Sequence, residues 1–176
     1  MKFLAALFCL FLGAQSAQAG LLIEPLVGYS LGGKLGEDDK TNGPSLGGRL
    51  GYQALGLQLG LDYLQSVQSV DASGYDDYTS SEFGAFVGYE FPILLRAYAG
   101  YIFSATGETK VNTTKYEFIE GTGTKLGVGF TGLPFVVINV EYRSGEYGDY
   151  KLNGAKQGDT VEFSSYLLSL SLPIDL

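Results

Sequence analysis

Nineteen carboxylates, eleven lysines and arginines and one cysteine (Cys9) are the main reactive side chains of this 176-residue chain, which has no histidine and no tryptophan. Without imidazole there is no histidine base, relay or metal ligand. Glu82 and Glu90 are the pair of carboxylates open to acid–base work, and both also suit structural charge pairing. The Gly-x-Gly spacing over 121–129 lies inside an alternating apolar segment, where glycine makes room in a wall rather than cradling a phosphate. Asn112-Thr113-Thr114 matches a glycosylation sequon, a pattern too short to carry weight. Acidic residues recur between the apolar segments: Glu37-Asp38-Asp39, Asp71, Asp76-Asp77, Glu108, Glu117, Glu146, Asp149 and Asp159. They fit hydrophilic loops, with divalent cations or basic partners as the alternative use. Tyr75, Asp76, Asp77 and Tyr78 form the candidate surface-contact patch. No catalytic residue, cofactor-binding residue or metal site is expected.

The elements that hold these residues are set by composition and period. A net charge of −8 and a pI near 4.4 argue against nucleic acid as a partner. The first residues place Lys2 before an apolar run from Phe3 to Leu12, and Ala17-Gln18-Ala19 gives a small-residue cleavage site before Gly20. Residues 1–19 are therefore expected to be a cleaved signal peptide, with 20–176 as one domain. Beyond Gly20 no sustained helical period occurs. Alternation predicts strands near 21–32, 45–54, 55–65, 80–91, 94–104, 120–131, 135–144 and 161–172. Tight turns at Ala54-Leu55, Pro92-Ile93-Leu94 and Gly132-Leu133-Pro134 alternate with polar segments near 33–44, 66–79, 105–119 and 145–160. Short turns at one end and four long loops at the other are the rhythm of a transmembrane barrel.

One face of these strands is apolar and uncharged. The other carries Glu24, Arg49, Asp62, Glu82, Glu90, Arg96, Lys125, Glu141 and Arg143, the expected lumen charge network. A lysine or arginine facing lipid at mid-membrane costs about 2–4 kcal/mol, which explains such segregation. Tyr29, Tyr63, Tyr101 and Tyr142 fall at the loop-side ends of the apolar face, and Tyr52, Tyr89, Phe91 and Phe130 at its turn-side ends, as two interfacial aromatic belts would. Folding about Ile93 sets Glu90 opposite Arg96, folding about Leu133 sets Lys125 opposite Glu141, and Arg49 becomes a diagonal partner of Asp62. A lipocalin-like barrel with reversed polarity is the soluble rival. An interior with nine charges does not suit a lipid ligand, and the tryptophan of that family's Gly-x-Trp pattern is missing.

Over residues 20–176 this pattern resembles the small eight-stranded outer-membrane barrels of the OmpA-barrel, OmpX and OmpW type. The resemblance implies an all-β, antiparallel up-and-down transmembrane barrel in a bacterial (Gram-negative) outer membrane, with both termini periplasmic. It implies outer-membrane lipid, lipopolysaccharide and the barrel-assembly machinery as partners, and an extracellular partner through the loops. The enzymes on related barrels use histidine, so a non-enzymatic protein is expected, acting in envelope integrity or surface interaction around a plugged polar lumen. Porin-like or OmpW-like transport is the alternative. Two departures stand out: no peptidoglycan-binding domain follows the barrel, and the chain ends Leu172-Pro173-Ile174-Asp175-Leu176 rather than in an aromatic residue.

Overall fold

The computed structural model describes residues 19–36, 39–70 and 76–176; the leader up to Gln18, Glu37, Asp38, Asp71 and Tyr75 lie outside them. The strands are β1 (Gly20–Leu35), β2 (Asp39–Ala54), β3 (Leu57–Val70), β4 (Tyr78–Phe91), β5 (Leu95–Val111), β6 (Thr114–Phe130), β7 (Val137–Leu152), β8 (Ala155–Lys156), β9 (Val161–Ser171) and β10 (Ile174–Asp175). From β1 to β7 each strand pairs antiparallel with its neighbours in sequence. β9 pairs with both β7 and β1, closing an eight-stranded up-and-down barrel. The two-residue β8 folds back antiparallel on the end of β7, and β10 continues the line of β9 along β1. The interruption at Leu172-Pro173 sits beside Pro25, whose carbonyl accepts from the Leu172 N–H. Proline offers no ladder donor, so the seam breaks where it occurs.

The strands are longer at the loop end than the period predicts. Most of the four polar segments is hairpin: Val111 pairs with Thr114 across Asn112-Thr113, and Leu152 pairs with Ala155 across Asn153-Gly154. The reason is a change of phase. Outward residues run Leu21 to Leu31 on β1, but after Gly32 (φ 55°) it is Gly33 and Leu35 that point in. On β5 the inward set switches after Phe103 to Ala105, Gly107 and Thr109. On β6, Gly121 and Phe118 are both buried on either side of Glu120 (φ 58°). Each bulge inserts one residue and exchanges the faces beyond it. A reading that assumes unbroken alternation loses the strand there.

Charged and polar side chains fill the interior, with Leu26, Leu64 and Leu167 clustered among them, Leu64 beside Glu82 and Leu167 beside Glu141. The loop end is capped by Leu35, Tyr78, Ile102, Ala105, Phe118, Tyr147 and Phe163. Ser30, Ser45 and Ser66 join neighbouring strands by hydroxyl hydrogen bonds of 2.9 and 2.8 Å.

Candidate functional site: the lumen and the loop end

Eight of the nine charged residues are buried inside the barrel, four acids and four bases; Glu90, nearer the turn end, is half-buried. Glu24 is fully buried and lies opposite Arg49 in the β1–β2 register. It accepts from Arg49 Nη1 at 3.3 Å, from Arg96 Nη1 at 2.9 Å, and through Oε1 from Arg96 Nη2. Arg96 also donates to Asn139 Oδ1 from Nε at 3.1 Å and from Nη2 at 2.6 Å. Arg49 Nη2 reaches Glu141 at 3.1 Å, and its guanidinium stacks 4.2 Å from the centre of the Tyr98 ring. Arg143 joins Glu141 to Glu82, the latter at 2.6 Å, while Lys125 pairs with Asp62. Taking charges out of water is expensive, and this geometry offsets it by giving each of these acids a cation.

The register departs from expectation at two places, Lys125–Glu141 and Arg49–Asp62. Glu90 stands opposite Arg96 as the turn arithmetic requires, and the Arg96 guanidinium is bonded across the lumen to Glu24 on β1, four strands away round the wall in either direction. The β6–β7 hairpin is centred on Pro134 rather than Leu133, so Lys125 faces Arg143, not Glu141. The wide turn from Thr131 to Val136 shifts the register by two residues, and Asp62 supplies the acid from β3. Arg49 and Asp62 are directly opposite rather than diagonal, and their ion pairs go elsewhere. Linear spacing cannot find these partners, because the bonds cross the lumen.

Glu82 and Glu90 do not form a carboxylate pair. Eight residues along β4 separate them, about 26 Å at the usual strand rise. Two-carboxylate hydrolysis needs groups within ~10 Å. Among the described residues, no group of three or more Asp, Glu, Cys or His side chains converges as a metal site would.

The outer face is apolar. Tyr29, Tyr63, Tyr101 and Tyr142 are exposed on it, as are Tyr52, Phe91 and Phe130, with Tyr89 half-buried against Phe91 at 5.0 Å between ring centres. The four loop-side tyrosines do not end their strands; the wall continues beyond them with Thr122, Thr124, Ser144 and Ser164 facing out.

The surface-contact patch is divided. Asp76 and Asp77 are exposed beside an open depression of about 490 Å³ that Glu108, Thr109, Lys110 and Lys115 complete. Tyr78 is turned inward, buried, and its hydroxyl hydrogen-bonds that of Tyr147. The aromatic cap was not legible in the sequence, since Leu35, Tyr78, Ala105, Phe118 and Tyr147 lie in segments that read as loops. Above it, a cavity of about 200 Å³ is lined by Leu35, Thr109, Tyr116, Phe118, Tyr150 and Val161. At the β7–β8 tip, the Gly158 N–H at 2.8 Å holds the Asp149 carboxyl below its ordinary value, with further help from the Tyr150 N–H and Lys156.

No family model and no curated protein matches the sequence. Solved structures do match the fold. Neisserial surface protein A aligns with 17% identity over 88% of this chain and 97% of its own, with a TM-score of 0.56. The outer membrane protein OprG from Pseudomonas aeruginosa aligns with 12% identity over 92% and 99%, TM-score 0.55. Ail, the attachment invasion locus protein of Yersinia pestis, aligns with 13% identity over 90% and 99%, TM-score 0.53. At these identities the likeness is one of fold: a closed eight-stranded antiparallel barrel, complete over nearly the whole of each chain.

Proposed function

We propose that this chain is a non-enzymatic barrel of a bacterial outer membrane whose lumen is closed by side chains and whose working surface is the loop end. An uncharged outer band around a charged interior suits lipid outside and a polar plug within. The observation that carries the reading is the filled lumen: an ion-pair layer with equal numbers of acids and bases, and above it an aromatic cap closed by the Tyr78–Tyr147 hydrogen bond. With the interior committed to packing, envelope integrity or contact with an extracellular partner falls to the exposed hairpin tips, Asp76 and Asp77 among them. Two of the structures it resembles are described as a surface protein and an attachment protein, which supports that reading. Lipid and lipopolysaccharide surround the barrel, the assembly machinery inserts it, and both termini lie in the periplasm.

Planar-bilayer recording on purified protein tests the closed lumen. The expected result is a membrane that stays at baseline conductance. Steady current steps that scale with salt would overturn the plug and move the function to narrow transport.

A further inference from the structure

The three connections at the turn end are as apolar as the barrel wall. Ala54-Leu55-Gly56, Pro92-Ile93-Leu94 and Thr131 to Val136 contain no charged residue, and Leu55, Ile93, Leu94, Leu133 and Phe135 are all exposed there, Phe135 to 85%. Each connection also holds one bulky apolar residue in the left-handed region: Leu55 at φ 52°, Leu94 at 62° and Phe135 at 67°. That conformation is unfavourable for a residue with a Cβ, and asparagine or glycine is the ordinary choice. The molecule itself provides the comparison. At the loop end, Asn153-Gly154 makes a two-residue hairpin turn with φ 48° and 88°; at the turn end, Leu55-Gly56 makes the same kind of turn with φ 52° and 81°. The backbone requirement is alike at both ends, so the difference between asparagine and leucine reflects what surrounds the tip.

We infer that these three turns are seated in lipid, forming an apolar foot that enters the leaflet at the turn end instead of standing in water. The inference rests on the membrane-barrel reading above. Band height supports it independently. From Tyr166 to Leu176 the outward apolar stripe spans ten residues, about 25 Å for a tilted strand, which is the thickness a barrel must present. On β6 the stripe from Leu126 to Phe130 spans only four, about 10 Å, and on β7 Val136 to Tyr142 spans six, about 15 Å. That side of the wall approaches full height only when Leu133 and Phe135 are counted within the membrane. The foot is also continuous with the lipid-facing band through Phe91, Leu95 and Phe130. A solvent-exposed apolar surface of this extent otherwise marks a protein-binding site, the rival occupant.

Because the chain has no tryptophan, one introduced indole reports a single depth. Phe135→Trp, Leu94→Trp and Leu55→Trp would each be refolded into phosphatidylcholine vesicles, with Leu59→Trp as a mid-band reference and Thr113→Trp as a tip reference at the opposite end. Folding is verified by different gel migration of unheated and heated samples, and three positions guard against the failure of one. The expected result is blue-shifted emission from all three turn positions, with most of the intensity lost in vesicles of lipid brominated near the headgroup and little lost to aqueous iodide. Emission matching Thr113→Trp, with full iodide quenching, would overturn the inference and leave the foot to a periplasmic protein. If Leu59→Trp is also water-like, the membrane barrel itself fails; if it is quenched by lipid while the turn positions are not, only the seated foot fails.

Discussion

Glu24 sits between two guanidiniums, and they hold it unequally. Arg96 makes two hydrogen bonds to its carboxylate, Arg49 one at 3.3 Å. Arg96→Ala therefore leaves Glu24 buried with its weaker partner, at an expected loss of about 1–4 kcal/mol, below the ~3–5 kcal/mol of a fully orphaned buried charge. Replacing Glu24 and Arg96 together by glutamine should recover much of it, since neither amide carries a charge. A double-mutant cycle on urea unfolding in vesicles is expected to give a larger coupling for Arg96–Glu24 than for the register neighbours Arg96–Glu90. Equal couplings would mean that the cross-lumen bonds do not govern stability. At the same scale, Gly127 shows what packing asks of the wall: a Cβ there would lie 2.2 Å from the Tyr98 ring, which stacks on Arg49. Close approach, rather than turn geometry, keeps that position glycine.

Bulges and hairpin tips decide how the elements end. The phase changes after Leu31, Phe103 and near Glu120 bring Leu35, Ala105 and Phe118 into the cap, so strands whose outer face is apolar below the bulge present hydroxyls and charges there above it. At the β7–β8 tip, Asp149 fastens the chain by accepting from Gly158 and Tyr150. Its carboxyl is held below the ordinary value, so the folded tip is favoured above the unfolded carboxyl's titration and loses that support as pH falls through the depressed one. The Gly158 amide proton should accordingly titrate with a midpoint below 3.8, the ordinary aspartate value. In Asp149→Ala that titration should vanish while Gly158 exchanges faster with solvent. A midpoint at or above the ordinary value would contradict the assigned bonds.

For the molecule as a whole, closure is the governing fact. Every long strand has two partners, so no edge is left to lipid or to another chain. The mature protein is expected to begin at Gly20, to fractionate with outer membranes, and to run at a different apparent size on gels when unheated. Recovery as a soluble periplasmic pool with no heat-dependent shift would remove the membrane reading altogether.

The eight strands, their neighbours and the two faces were legible from residue order, because one face of every strand excludes charge and alternation records the result. Leu55 and Leu94 were visible as apolar turn residues, whereas Phe135 read as the start of a strand, and the left-handed backbone of all three was not visible. The Glu24–Arg96 bonds, the Lys125–Asp62 pair and the inward turn of Tyr78 were beyond the sequence, for one physical reason. A single inserted residue at a bulge or an asymmetric turn moves every later side chain, and partners that meet across a lumen are chosen by the closed shape, not by spacing along the chain. The sequence determined which residues are inside and which are outside below the bulges. Only closure decided which of the inside residues touch.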